Sequence, residues 1–386
     1  MGLSADARDA YLQACLGEAR EFIAGLVPET DRAQPAYATL LAYPLRAAKG
    51  LRPALTVASC RALGGDRSAA GPTAAVLELL HNAFIVHDDV EDGSEMRRHE
   101  PTLPVQIGVP RAVHAGDTML ALALGPLLDN MRLLDMGRAL RILDLVATML
   151  RRTVEGQALE LAWIADNRWD VTPAEYVEMV TLKTAWYTFV APLACGAIAA
   201  DAPAALIEEL QAFGLDLGVA FQIRDDTLNL LASETVTGKE RWGDLWEGKR
   251  TLVLAAFFSE ASENEKRFAR ALLLRSRPTA AERDPARPLL EGAVRALVTS
   301  DALTAEQARL VVDAYAGERT RDGKTEADVA AFRSMLGPSI DVASRVAADF
   351  ARRAAERWTS IRRAMVDSTH RDLIESILDY TIARDR

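Results

Sequence analysis

Cysteine is scarce in this 386-residue chain: Cys15, Cys60 and Cys195 are an odd number without CxxC spacing. That argues against a disulfide framework and a cysteine zinc site, and it suits a reducing cytosol, so a cytoplasmic setting is expected. Long apolar runs are also missing. The longest, around Thr118 to Leu128 and Phe189 to Ala200, fall short of the roughly 20 residues a bilayer requires, so no stable membrane insertion is expected. Positive charge is in deficit, with 45 Lys and Arg against 55 Asp and Glu for a net charge of -10, which disfavours nucleic acid as a partner. Lysine is scarcer still: only Lys49, Lys183, Lys239, Lys249, Lys266 and Lys324. Any polyanionic ligand must be met locally, so the placement of these six is informative.

What the chain does have is 49% apolar residues, enough for a sizeable core, recurring at three and four spacing among good helix formers. Strict alternation is rare. An all-α fold follows, with long helices expected at roughly 5–26, 36–63, 68–92, 110–130, 134–165, 173–199, 203–232, 247–275, 303–317 and 326–380. Thr172-Pro173-Ala174-Glu175 reads as a capped helix start. The stretches from Arg275 to Pro288 and from Ala316 to Glu326 read as surface loops. The pattern from 36 to 275 offers no place to cut, so residues 1–386 are expected to form one large helical bundle, with 276–340 as a peripheral helical elaboration.

The strongest local signal is Asp88-Asp89-Val90-Glu91-Asp92, at the end of an apolar run. On a helix, Asp88 and Asp92 lie one turn apart on one face while Asp89 points about 100° away. Asp225-Asp226-Thr227-Leu228-Asn229 forms a second cluster, after another apolar run and Gln222. One acidic cluster at a helix end reads as a solvated cap. Two, each ending an apolar run and followed by cations (Arg97 and Arg98; Lys239 and Lys249), describe carboxylates that hold a hard cation beside a diphosphate. Oxygen-only ligation points to magnesium rather than zinc.

These residues resemble the trans-polyprenyl diphosphate synthase family. Asp88 to Asp92 with Arg97-Arg98 is similar to its first aspartate motif, and Phe221-Gln222-Ile223-Arg224-Asp225-Asp226 to its second. Lys49-Gly50-Leu51-Arg52-Pro53 and Gly156-Gln157-Ala158-Leu159-Glu160 match two further elements, with Ala48 for a glycine and Glu160 for an aspartate. Asn229 stands where the second motif usually ends in aspartate. The resemblance implies an isoprenoid synthase bundle with a central active-site cavity and a homodimer. The implied activity is a prenyltransferase that joins isopentenyl diphosphate to an allylic diphosphate with three Mg2+ ions.

The same resemblance gives Asp88, Asp92 and Asp225 as metal ligands, Arg97, Lys183 and Lys239 as ligands of the allylic diphosphate, and Lys249 as a further substrate-binding residue. It gives Lys49, Arg52, His81 and Arg98 for isopentenyl diphosphate, and Lys183, Thr184 and Gln222 beside the reacting carbons. Phe84, one turn before Asp88, is expected to floor the tail pocket and Ala83 to leave its adjacent side open, for a product of fifteen to twenty carbons, geranylgeranyl diphosphate favoured. Two other readings compete. A class I terpene cyclase would use one diphosphate and lack the Lys49, Arg52 and His81 pocket, and a non-catalytic regulatory subunit would be expected to lose an aspartate motif.

Overall fold

Helix starts follow the cap chemistry of the sequence. The computed structural model describes residues 2–27, 37, 40, 43, 44, 46, 48–97, 100–231, 242–275, 286–300, 302–308, 310, 311 and 323–383. Side chains of Ser4 and Asp66 accept backbone N–H groups at the starts of α1 (Ala5–Gly25) and α3 (Arg67–Glu91), which flank α2 (Leu51–Ala62). A two-stranded ribbon, β1 (Met96–Arg97) with β2 (Glu100–Pro101), was not foreseen. Three helices follow, α4 (Leu103–Ile107), α5 (Val109–Leu122) and α6 (Leu124–Leu133), the last two standing where one helix was expected over 110–130. Gly108, at φ 83°, separates the first two, and Pro126 lacks the N–H that would bond back across the second break.

After α7 (Met136–Ala165), the Thr172 capping box opens α8 (Pro173–Val180) as expected. The chain then widens into a ten-residue π-helix, Thr181–Val190, before α9 (Ala191–Ala199) and α10 (Ala204–Leu231). Next come α11 (Gly243–Glu247), α12 (Leu252–Glu260) and α13 (Glu263–Leu273), the last two standing where one helix was expected over 247–275. Gly248 in the left-handed region and a second capping box, Ser262 with Glu265, make these breaks. Beyond them lie α14 (Ala286–Thr299), α15 (Glu326–Met335), α16 (Gly337–Ile361) and α17 (Thr369–Ala383).

The all-α expectation holds: 82% of the described residues are helical. One apolar cluster joins α1, α2, α3, α9 and α17; a second joins α8, α12, α15 and α16; and α10 runs through both, burying Leu210 and Phe213 in the first and Ile223 and Leu230 in the second. α3 is long and apolar enough to cross a membrane, a feature the run-length reading passed over, but 72% of that window is buried inside the protein. It packs against α1, α2, α5 and α6 as a core helix. The described part of the 276–340 stretch is not wholly surface: Val329 and Phe332 of α15 are buried in the second cluster, and Lys324, expected in a surface loop, is 3% exposed.

Candidate active site

Because α3 and α10 bury their apolar lengths, both deliver carboxylates at their C-terminal ends to one cavity of 1240 Å³. Helix C-termini are themselves partly negative, so carboxylates there call for cations. The cavity is lined by Lys49, Arg52, His81, Phe84, Asp88, Arg97, Lys183, Thr184, Gln222, Asp225 and Lys249. These are eleven of the residues singled out from sequence. Arg98 and Lys239 lie outside the described residues.

Two candidates sit differently from expectation. Ala83 is fully buried and does not line the cavity, because the helical rotation of about 100° from Phe84 turns it into the bundle. Asp92 has passed the end of α3 into the cap position, where its side chain is 3% exposed and pairs with Lys249 at 2.6 Å. Asp88 lines the cavity, but Asp92 is not among its lining residues.

Asp88 lies 3.2 Å from both Arg97 and Lys183. Burial opposes its ionisation, yet Lys183, Lys249 and Arg97 outweigh burial and hold its carboxyl well below the usual range. Asp89, which points away as expected, is fully buried; it accepts hydrogen bonds from Tyr43 and from Arg97 at 2.5 Å, and so orients Arg97. Lys183 also donates to Glu160, and Lys249 lies 3.3 Å from Glu247. Sequence reasoning gave Tyr43, Asp89 and Glu247 no role, although Asp89 stands inside the first aspartate motif.

Across the cavity, Arg52 donates to Thr188 at 2.8 Å and stacks 4.3 Å from the Tyr187 ring, which faces His81 and Phe84. On α10, Asp226 accepts from Tyr176 at 2.5 Å and from Gln222 at 2.7 Å. Burial pushes the Asp226 carboxyl up to about 6 despite these hydrogen bonds, with Asp225 adding to the rise. Asn229 does structural work: its side-chain oxygen accepts the Asp244 N–H at 3.2 Å and ties α11 to α10.

Among the described residues no three carboxylate, histidine or cysteine side chains converge as a metal site. The chemistry of the donors nevertheless fits magnesium. Five ion-paired carboxylates (Asp88, Asp89, Asp92, Glu160 and Glu247) share three cations. Burial pushes Asp92 up to about 7, with Asp88, Glu247 and Glu160 adding to the rise and Lys249 opposing it. Surplus buried oxygen donors of this kind suit a hard divalent cation.

The family model for polyprenyl synthetases matches residues 34–286. The chain belongs to the polyprenyl synthetase family. Among curated members it is 38% identical over 219 residues to a geranylgeranyl diphosphate synthase of Saccharolobus solfataricus, covering 57% of this chain and 65% of that one, just under two thirds of the relative's length. A farnesyl diphosphate synthase of Mycobacterium tuberculosis is 37% identical over 221 residues, covering 57% and 60%. The geranylgeranyl pyrophosphate synthetase structure from Pyrococcus horikoshii aligns over 98% of both chains at 27% identity and a TM-score of 0.77. A Caulobacter crescentus polyprenyl synthase, solved with calcium and isoprenyl diphosphate, aligns over 99% of this chain and 98% of its own at 25% identity and a TM-score of 0.76. As a polyprenyl synthetase, the protein has the all-α isoprenoid synthase fold.

Proposed function

We propose that this polyprenyl synthetase is a magnesium-dependent prenyltransferase that condenses isopentenyl diphosphate with an allylic diphosphate, giving a C15–C20 trans product, most simply geranylgeranyl diphosphate. One observation carries the reading: a single cavity is lined by two sets of cations, Arg97, Lys183 and Lys249, which pair with carboxylates, and Lys49 and Arg52, which stack on Tyr380 and Tyr187, with His81, Phe84, Tyr187 and Phe221 also in its wall. Two diphosphates need two such groups; a cyclase needs one. The two-group arrangement and the intact aspartates Asp88 and Asp225 also weigh against a regulatory subunit.

Asp88, Asp92 and Asp225 would hold the three magnesium ions, which when bound supply positive charge to the leaving diphosphate. Arg97, Lys183 and Lys249 neutralise its oxygens, oriented by Asp89, Glu160 and Glu247. As the allylic carbon–oxygen bond breaks, the cation left behind faces the Thr184 hydroxyl and Gln222. The amide N–H of Gln222 is spent on Asp226, which leaves its carbonyl oxygen for the developing charge. Phe84, Tyr187 and Phe221 exclude water that would quench it. The double bond of isopentenyl diphosphate, held at Lys49, Arg52 and His81, then attacks, and proton loss completes the condensation, with the released diphosphate as base.

Purified protein with magnesium, isopentenyl diphosphate and allylic primers of five to fifteen carbons should give elongated products by mass spectrometry; no condensation with any primer defeats the proposal. Phe84 packs edge-to-face on Tyr187 at 5.6 Å and forms part of the cavity wall. Phe84→Ala is expected to lengthen the product by at least one five-carbon unit, and an unchanged size distribution would remove Phe84 as the floor.

The active form is read as a cytosolic homodimer. Leu124, Leu128, Leu133, Met136 and Leu140, on α6 and the start of α7, are each about half exposed, an apolar surface that a second copy would cover. Leu128→Asp with Met136→Asp should give a monomer by light scattering; a dimer of wild-type mass would place the contact elsewhere. Three buried, unpaired cysteines are consistent with the reducing compartment.

A further inference from the structure

The residues at the start of α15 reach back to the mouth of the cavity. Lys324, just before α15, is 3% exposed, and its ammonium donates to the carbonyl oxygens of Leu245 at 3.1 Å and Trp246 at 2.7 Å. Those carbonyls end α11, a helix of five residues, where the last C=O groups have no partner within the helix. A Lys on them satisfies buried acceptors and complements the negative helix end.

What α11 and the turn after it carry makes this contact matter. Glu247 is the last residue of α11 and accepts from Ser94, and Lys249 follows the left-handed Gly248. The Lys249 N–H bonds back to the Asp244 carbonyl at 2.9 Å, so the position of its side chain is set by the same turn that Lys324 holds. Lys249 then reaches Asp92 at 2.6 Å. From α15 itself, Arg333 donates to the Leu230 carbonyl at 2.8 Å, at the end of the helix that carries Asp225. Residues 324–333 thus grip the ends of both elements that bring the second set of charged groups to the cavity.

We propose that Lys324 is a positioning residue of the active site, fixing α11 so that Lys249, paired with Glu247, meets Asp92 and the allylic diphosphate. The proposal rests on the condensation reading for its kinetic consequence but not for its structural one. A five-residue helix has little stability of its own. Without the clamp, Lys249 loses its fixed geometry while Lys183, Arg97 and Asp88, carried on other elements, keep theirs. The loss should therefore appear in binding of the allylic substrate more than in turnover.

The test uses the full chain. Lys324→Met is expected to raise KM for the allylic diphosphate about tenfold with kcat within about threefold of wild type, and Lys324→Arg, still a cationic donor, to restore most of it. In a Lys249→Ala background, the Lys324→Met change should add less than about twofold, because both act through one group. A wild-type KM in Lys324→Met, or the same tenfold rise in both backgrounds, overturns the proposal. Hydrogen exchange gives a readout independent of activity: the Leu245, Trp246 and Lys249 amides should exchange faster in Lys324→Met while those of α10 stay protected. Unchanged exchange at these three amides overturns it as well. If the wild type elongates no primer, the condensation reading fails alone and exchange still decides the clamp. Should Lys324→Met not fold, Lys324→Gln, neutral and shorter but still a donor, is measured in its place under the same criteria.

Discussion

Asp88→Ala is expected to lower kcat/KM for condensation by at least about a thousandfold while leaving the fold intact. Asp88 is where the two cations of the mouth meet, 3.2 Å from Arg97 and 3.2 Å from Lys183. Its carboxyl stays ionised although burial opposes this, because Lys183, Lys249 and Arg97 outweigh burial. On the proposed reading, removing it takes away one of the metal donors, and the neighbouring Asp89, turned into the core against Tyr43, does not take its place. The fold should survive because Lys183 keeps Glu160 and Arg97 keeps Asp89, so no buried cation is left unpaired. Circular dichroism and steady-state kinetics on one preparation test both halves. Asp88→Asn separates charge from shape: it keeps the volume, should lose nearly as much activity, and should need more magnesium for what remains. Wild-type activity in either variant would mean that the metal is held elsewhere.

Much of this site was legible from sequence because helix periodicity and local chemistry act over short range. The runs that end in Asp88 and Asp225 are buried by their own patterns, so their carboxylates had to emerge together at helix ends. The Thr172 capping box spans four residues and was read correctly; that of Ser262 and Glu265 has the same form and was passed over inside an expected long helix. What could not be read depends on distant partners. Nothing near position 324 announces that its ammonium will meet carbonyls at 245 and 246. Asp92 looks like a helix-face partner of Asp88 at four spacing, but α3 ends at Glu91, and Lys249 captures the carboxylate. Ala83 was placed at the tail pocket by adjacency to Phe84, whereas one residue of helical rotation moves a side chain from cavity to core.

Gly156→Ala is the second substitution with a large expected effect, and it bears on the π-helix that sequence could not announce. Lys183 and Thr184 sit on that segment, whose wider turn shifts side chains relative to an α-helix. It is held between glycines: a Cβ at Gly156 of α7 would lie 2.3 Å from the Lys183 backbone nitrogen, and one at Gly218 of α10 would lie 2.5 Å from the Ala185 Cβ. Helix interiors ordinarily favour alanine over glycine by up to about 1 kcal/mol, so glycine here is kept against local preference. With a methyl at 156 the obstacle is backbone rather than a movable side chain, and α7 or the π segment must give way. The overpacking should cost about 1–3 kcal/mol of stability. A shift of about 1 Å at Lys183 and Thr184 should cost about a hundredfold in kcat/KM. Gly17→Ala in α1 is the control: nothing lies within 4 Å of its added methyl, so it should be neutral or slightly stabilising with full activity. Thermal unfolding and kinetics of the two variants side by side make the comparison, and a Gly156→Ala enzyme as stable and active as Gly17→Ala would show that the close approach does not set the position of Lys183.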